Sequence, residues 1–579
     1  MSAAGPAAPA SPAHGAGPAP APGPASGLPA PAALPRVPAE RAQEYRRRGW
    51  WLPERVDRLA LRRAAERPEA VAVVAPGGRL TYRQLADAVA GAARRLARLG
   101  VRRGDRVLVQ LPNDVELVVL PLALMRLGAH PVMAHPALRR YELAHVVEAT
   151  APVAMAVQRR VGRFDHAALA RHLAADCPSL RLLLVADRAG GGAPEQDTHD
   201  LVALCRPEPG EGPLPELGPP QDDEPAVMLL SSGTTGRPKA IARAHEGYGY
   251  MIRASAEWAA LSADTVYLAV MPGAHGFVLN CPGILGTLAF GGRVVLASAD
   301  DPDGALDLVE REGVTHCALV PALVDQWVAA ARRRGRGPST LRVVQVGGAR
   351  PEARLVTEAM KALGCTVQQC YGMSEGLLVF TALDDPEGVV TGTQGRPASP
   401  GDELRVVDES GAPVPPGTTG ELLTRGPYTV PGYYNAPGAD ERSFTADGFY
   451  RTGDVVRLLP SGGLVVEGRL GDVINRGGEK ISPLDLEALV IDHPAVRAAA
   501  AVAVPHPVLG QTVCLFAVPL DPAAPPSLLE LRRHLQDRGL ATFKLPERLE
   551  IVDTIPYVGI GKVDRVALRR AATEAGAPD

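Results

Sequence analysis

The sequence predicts an α/β protein: a large N-terminal domain of mixed, mostly parallel sheets covered by helices, then a small α+β domain. Three observations lead there. Strand-like and helix-like runs alternate over most of the chain, the pattern of parallel sheets with helices on both faces. After about residue 400 the pattern changes, and ELRVVDESGAPVPPGTTGELLTRG reads as antiparallel strands joined by tight turns. The last ~110 residues alternate again on their own, enough chain for a small separate domain.

The elements follow in order. Residues 1–38 are almost all Ala, Pro, Gly and Ser, and are expected to be disordered because nothing there can bury a core. Structure is expected to begin near YRRRGWW, Tyr45–Trp51. Leu85–Leu99 has apolar residues at helical spacing and stops at Gly100. GDRVLVQLPN reads as a strand, Leu117–Leu127 as a helix and HPVMAHP as the next strand. Further strands are expected at Ala226–Leu230, Thr265–Val270, Arg293–Ala297, Ala318–Pro321 and Leu341–Val346. Beyond LVVEGRLGDVINRGGEKI come helix-like LDLEALVIDH, strand-like AAAVAVP and VCLFAVPL, and helix-like LLELRRHLQDRG. The expected division is a tail over 1–38, a core over 39–470 and a C-terminal domain over 471–579.

Bulk properties exclude several classes. With 61 basic against 64 acidic residues and a net charge of −3, nothing attracts nucleic acid or an anionic membrane. Aromatic content of 4% argues against a base-stacking surface. The start lacks a basic segment followed by an apolar block, and no run of apolar residues is long enough to span a bilayer. A cytoplasmic protein is expected. The seven cysteines include no C-x-x-C pair, so no zinc site is expected and the thiols read as reduced.

The run SSGTTGRPK, Ser231–Lys239, carries the first chemistry. It follows the apolar strand AVMLL, so its glycines let backbone N–H groups approach an anion while hydroxyls and the lysine add donors. Gly233, Gly236 and Lys239 do not have Walker A spacing, and no Ser or Thr follows the lysine. Taken alone, the run also suits a flexible surface loop.

YGMSEG (Tyr371–Gly376), YRTGD (Tyr450–Asp454), EGR (Glu467–Arg469) and GIGK (Gly559–Lys562) follow in that order. Together with the loop they resemble the adenylate-forming superfamily of acyl-CoA synthetases, luciferases and peptide-synthetase adenylation domains. The resemblance runs from about residue 40 to 575. It implies activation of a carboxylic acid with ATP and Mg²⁺ and transfer of the acyl group to a thiol. It also implies a barrel-like subdomain and a mobile C-terminal domain. By resemblance, Ser231, Ser232, Gly233, Thr234, Thr235, Gly236 and Lys239 grip the β- and γ-phosphates, and Glu375 holds Mg²⁺. Gly347, Gly348, Ala349 and Tyr371 sandwich the adenine, Asp454 accepts the ribose hydroxyls, and Arg469 makes a second ribose or phosphate contact. Lys562 reaches the acid carboxylate and the α-phosphate.

Arg243, His245 and Tyr248 within KAIARAHEGYGYMIR, and the stretch MPGAHGFVLNCPGILG, are similar to stand-alone aryl-acid AMP ligases acting on 2,3-dihydroxybenzoate or salicylate. Such enzymes load a free aryl acid onto the phosphopantetheine arm of a carrier protein, here expected in trans. The resemblance makes His275, Gly276, Phe277, Cys281, Val346, Gly372 and Leu378 the aryl pocket. The chain departs from the dihydroxybenzoate ligases at Gly276, where they have Asn, and at Cys281, where they have Ser. Loss of the amide removes a hydroxyl partner and adds volume, which points toward a bulkier or bicyclic acid, an alkylated salicylate or an aminobenzoate. An aryl-CoA ligase and a non-catalytic AMP-binding protein are the alternatives.

Overall fold

The computed structural model describes residues 34–574, apart from 189–196, 209–216, 222–223, 232–237, 299–300, 477–478, 507–508, 539, 541–543 and 559–561. Among the described residues, the large domain is built on two sheets. In the nine-stranded first sheet, Thr366–Gly372, Val343–Gly347, His316–Leu319, Val266–Ala269, Arg293–Leu296 and Val71–Ala75 lie side by side and parallel. Antiparallel strands close both edges: Gly78–Thr81 at one, Leu378–Phe380 and Arg396–Pro397 at the other. The seven-stranded second sheet is parallel except where Ala240–Ala244 folds back on Pro225–Leu230.

The sequence explains these layers locally. Strands such as RVLVQ and VVQVG are buried along their whole length, as parallel strands covered on both faces must be. Helix Tyr82–Arg98 starts at Thr81, whose hydroxyl accepts from Gln84 N–H while the Gln84 side chain answers the Thr81 backbone. Its buried stripe Leu85, Ala88, Val89, Ala92 and Leu96 has helical spacing. The strand expected at Ala318–Pro321 is displaced: it runs from His316 to Leu319, and Pro321 opens helix Pro321–Arg334. A proline suits the first helical turn, where its missing N–H has no partner to lose.

Regular structure begins earlier than the YRRRGWW stretch, with helix Ala39–Arg47, which buries Ala42 and Tyr45. Trp50 stacks on Tyr250, and Trp51 packs edge-on to Tyr45. The other two of the four tryptophans, Trp258 and Trp327, also lie in the large domain, with Trp258 stacked on Phe380 and Trp327 1% exposed.

Where a barrel-like subdomain was expected, Glu403–Val407, Thr419–Arg425, Tyr450–Leu458 and Leu464–Arg469 form a four-stranded antiparallel sheet. It packs Val406, Leu422, Val456 and Leu464 against Leu377 and Val379. The C-terminal α+β part has a mainly antiparallel sheet of its own. Along strand Val496–His506, Ala499 and Ala501 face one apolar cluster while Ala500, Val502 and Val504 face another. That two-residue period gives the sheet a helix-covered core on each side. Among the described residues no helix is long and apolar enough to cross a membrane.

Candidate active site

Ser231 ends the strand Pro225–Leu230 and pinches the phosphate loop closed. Its N–H donates to the Lys239 carbonyl at 3.0 Å, and its hydroxyl accepts from the Lys239 N–H at 3.0 Å. Ser232, Gly233, Thr234, Thr235 and Gly236 lie outside the described residues. The Lys239 ammonium sits 4.5 Å from the centre of the Tyr433 ring. Tyr433 in turn donates its hydroxyl to Glu375 Oε1 at 2.8 Å and lies 3.3 Å from the Tyr450 hydroxyl. Glu375 is 7% exposed, and among the described residues no lysine or arginine pairs with it directly. A buried carboxylate faced by phenols, with no direct ion pair among the described residues, suits a hard cation such as Mg²⁺.

The Glu375 corner is held from beneath by Arg243, which is 2% exposed. The guanidinium donates to the carbonyls of Ser374 at 2.7 Å and Tyr428 at 2.8 Å, and lies over the Tyr248 ring. The Val430 N–H donates to the Glu375 carbonyl at 2.7 Å. Arg243 is marked in the sequence by resemblance to the aryl-acid AMP ligases; its tie to two distant carbonyls cannot be read from neighbouring residues. Asn113 and Tyr433 were missed. The Asn113 amide donates to the carbonyls of Ala269, Met271 and Ala297, and its oxygen accepts from Gly273 N–H, which fixes the loop entering His275.

A second cluster lies across the sheet ends. Tyr371 donates its hydroxyl to Asp454 Oδ2 at 2.6 Å, and Arg469 Nε approaches Asp454 Oδ1 at 2.8 Å. Burial, and then the Asp454 charge, push the Tyr371 phenol well above its ordinary range, so it stays a donor. Gly347 must be bare: a Cβ there would come within 2.9 Å of the Phe277 ring. Gly348 has φ +83°, a left-handed conformation suited to glycine, and with Ala349 it forms the bend after strand Val343–Gly347.

On the third side, His275 caps the short helix Gly276–Asn280, its Nδ1 accepting from the Phe277 N–H at 3.3 Å. Burial, the Lys562 cation and His135 push the His275 imidazole down to about 4, so the ring is neutral at pH 7. A Cβ on Gly276 would meet Leu229 Cδ1 at 3.3 Å, Asn280 Oδ1 at 3.6 Å and Ser374 Oγ at 3.8 Å. Asn280 is oriented by the Tyr248 hydroxyl, 2.7 Å from its Oδ1, and donates to the Cys281 sulfur at 3.3 Å. Burial pushes the Cys281 thiol up to about 12, so it is an inert wall. Val346 and Leu378 are buried, and Gly372 lets Leu378 approach where a Cβ would clash at 2.6 Å.

Lys562 begins the short strand Lys562–Val563, paired with Tyr557–Val558. Burial and the Arg469 cation lower its pKa, while Asp454 and Glu375 pull it the other way. The Lys562 charge acts on the His275 ring, and the charges of Arg469, Asp454 and Glu375 act on Lys562.

Comparison with known proteins agrees along the chain. Residues 61–434 match the AMP-binding enzyme family, and residues 485–562 match the AMP-binding enzyme C-terminal domain. A salicylyl-CoA synthase / salicylate adenylyltransferase of Streptomyces sp is 49% identical over 92% of this chain and 96% of its own. The 2,3-dihydroxybenzoate-AMP ligase of Bacillus subtilis is 43% identical over 93% and 97%. Among solved structures, apo MbtA from Mycobacterium smegmatis aligns with a TM-score of 0.70 at 44% identity, covering 93% of this chain and 98% of that one. These matches establish that the chain belongs to the AMP-binding enzyme family.

Proposed function

We propose that the protein is an aryl-acid AMP ligase. It joins an aryl carboxylic acid to AMP with release of pyrophosphate, then passes the aryl group to the phosphopantetheine thiol of a carrier protein acting in trans. The observation that carries this reading is the pair of buried carboxylates, Asp454 held between Tyr371 and Arg469 and Glu375 faced by Tyr433. In the first step the acid's carboxylate oxygen attacks the α-phosphorus of ATP and the bond to pyrophosphate breaks. Two anions must meet, so positioning and charge neutralisation dominate. Lys562 supplies a cation at the meeting point. Ser231, Lys239 and the loop 232–237 hold the phosphates. Glu375 holds Mg²⁺, which neutralises phosphate charge when bound. Asp454 and Arg469 take the ribose, and Gly347–Ala349 with Tyr371 enclose the base. Neutral His275 offers a ring nitrogen to the acid, in a pocket of Gly276, Phe277, Cys281, Val346, Gly372 and Leu378.

In the second step the carrier thiol adds to the aryl carbonyl and AMP leaves. The thiol needs a path that Lys562 blocks, so the small domain turns about Leu470–Gly471–Asp472, with 39–470 as the core and 471–579 as the moving part. Gly471 has nothing within 4 Å of where a Cβ would stand, which leaves the turn unobstructed. A second reading has coenzyme A as acceptor; the Streptomyces relative's description as a salicylyl-CoA synthase favours it. Exchange of labelled pyrophosphate into ATP, run over salicylates, aminobenzoates and bicyclic aryl acids, tests the first step. No exchange with any aryl acid overturns it. Offering holo-carrier and coenzyme A side by side decides the acceptor.

A further inference from the structure

Arg350 follows Gly347–Gly348–Ala349 directly, and its side chain reaches across the boundary between the two domains. Its Nη1 donates to the Val466 carbonyl at 2.9 Å and to Asp485 Oδ1 at 3.0 Å. These partners lie on opposite sides of the hinge. Val466 belongs to strand Leu464–Arg469, the last element before Leu470–Asp472, and Asp485 to helix Pro483–Ile491, beyond it. One guanidinium nitrogen therefore ties the loop after Gly347, the strand before Leu470–Asp472 and the first helix beyond it. The surroundings support the contact. The Ser482 hydroxyl, which caps that helix, donates to the Glu467 carbonyl. The Arg350 side chain is 21% exposed and Asp485 43%, so the pair is wet enough to open.

We propose that Arg350 is a positioning residue that latches the small domain in the orientation presenting Lys562, through its pair with Asp485. The inference rests on the two-step reading above. The latch favours adenylate formation and must release before the thiol can enter. Breaking it shifts the population away from the adenylate-forming orientation without touching a reacting atom.

The test uses the full-length chain with Arg350→Met and, separately, Asp485→Asn, with thermal unfolding as the check on folding. Pyrophosphate exchange should fall about 2- to 5-fold in both variants, the range of a partly exposed ion pair. Transfer from purified aryl-AMP to holo-carrier or coenzyme A should stay at the wild-type rate or rise. The double variant should lose no more than either single one. Unchanged exchange, equal loss in both half-reactions, or additive losses overturn the latch. Absence of aryl-dependent exchange in the wild type overturns the functional reading instead, so the two failures are distinct.

Discussion

The two domains supply the same site in opposite ways. On the large-domain side the described groups are each held by more than one bond: Arg243 to two carbonyls, the Asn113 amide among three, and Asp454 between Tyr371 and Arg469. On the small-domain side Lys562 rides on a two-residue strand, and one of the ties that span the boundary, Arg350–Asp485, is partly open to water. In the two-step reading proposed above, the large domain supplies a fixed floor and the small domain visits it. A buried tie that must break would cost several kcal/mol per opening; a solvated one costs about 1 kcal/mol or less, which suits a part that must leave at each turnover.

The sharpest break in this comparison is Lys562→Ala. Adenylate formation should fall about 10²–10³-fold, equivalent to ~3–4 kcal/mol of transition-state stabilisation, while unfolding is unchanged. Because Lys562 stands on the visiting side, thiol transfer from purified aryl-AMP should persist in the same variant. A near wild-type exchange rate in Lys562→Ala would remove the lysine from the mechanism.

Gly276→Asn probes the rigid side and should have a smaller effect. The new Cβ meets Leu229 at 3.3 Å, a tight fit, and the amide extends among Asn280 and Ser374. Bulky or bicyclic acids should lose about 10-fold or more in kcat/KM, while salicylate and 2,3-dihydroxybenzoate gain relative to them. An unchanged ranking across the acid panel refutes an enlarged pocket.

The smallest expected effect is on pH dependence. The native His275 pKa, near 4, lies below the ordinary imidazole value of 6.5, so the ring loses its proton well below neutrality. The acidic limb of kcat/KM should therefore carry no step from His275 between pH 6 and 8. On the alkaline side the lowered Lys562 pKa brings loss of the cation in below the free-lysine value of 10.5, so activity should decline earlier than an unperturbed lysine dictates. A His275 titration near 6.5 seen by NMR would contradict the first expectation.

Much of the rigid side was legible in the sequence because its signals are local. Continuous β-branched runs gave the strands, and Ser231–Lys239 announced the loop after one of them. Gly276 and Cys281 were visible only as departures within a recognisable stretch. What stayed hidden is long-range. Arg243 works through Ser374 and Tyr428, Asn113 through Ala269 and Ala297, and Arg350 through Asp485. No periodicity or spacing marks a residue whose partner lies a hundred positions away. Pro321 shows a local failure: the run read as strand up to the proline, but the proline serves the next helix.

The placement of the tryptophans gives the two halves separate optical identities. Trp50, Trp51, Trp258 and Trp327 all belong to the large domain, and the sequence from Leu470 onward has none. Intrinsic tryptophan fluorescence therefore reports the floor of the site and is blind to melting of the small domain, whereas far-ultraviolet circular dichroism sees both. A gap between the two unfolding curves would measure how independently the visiting domain keeps its own fold. A tryptophan placed at exposed Leu520 would give that domain a signal of its own.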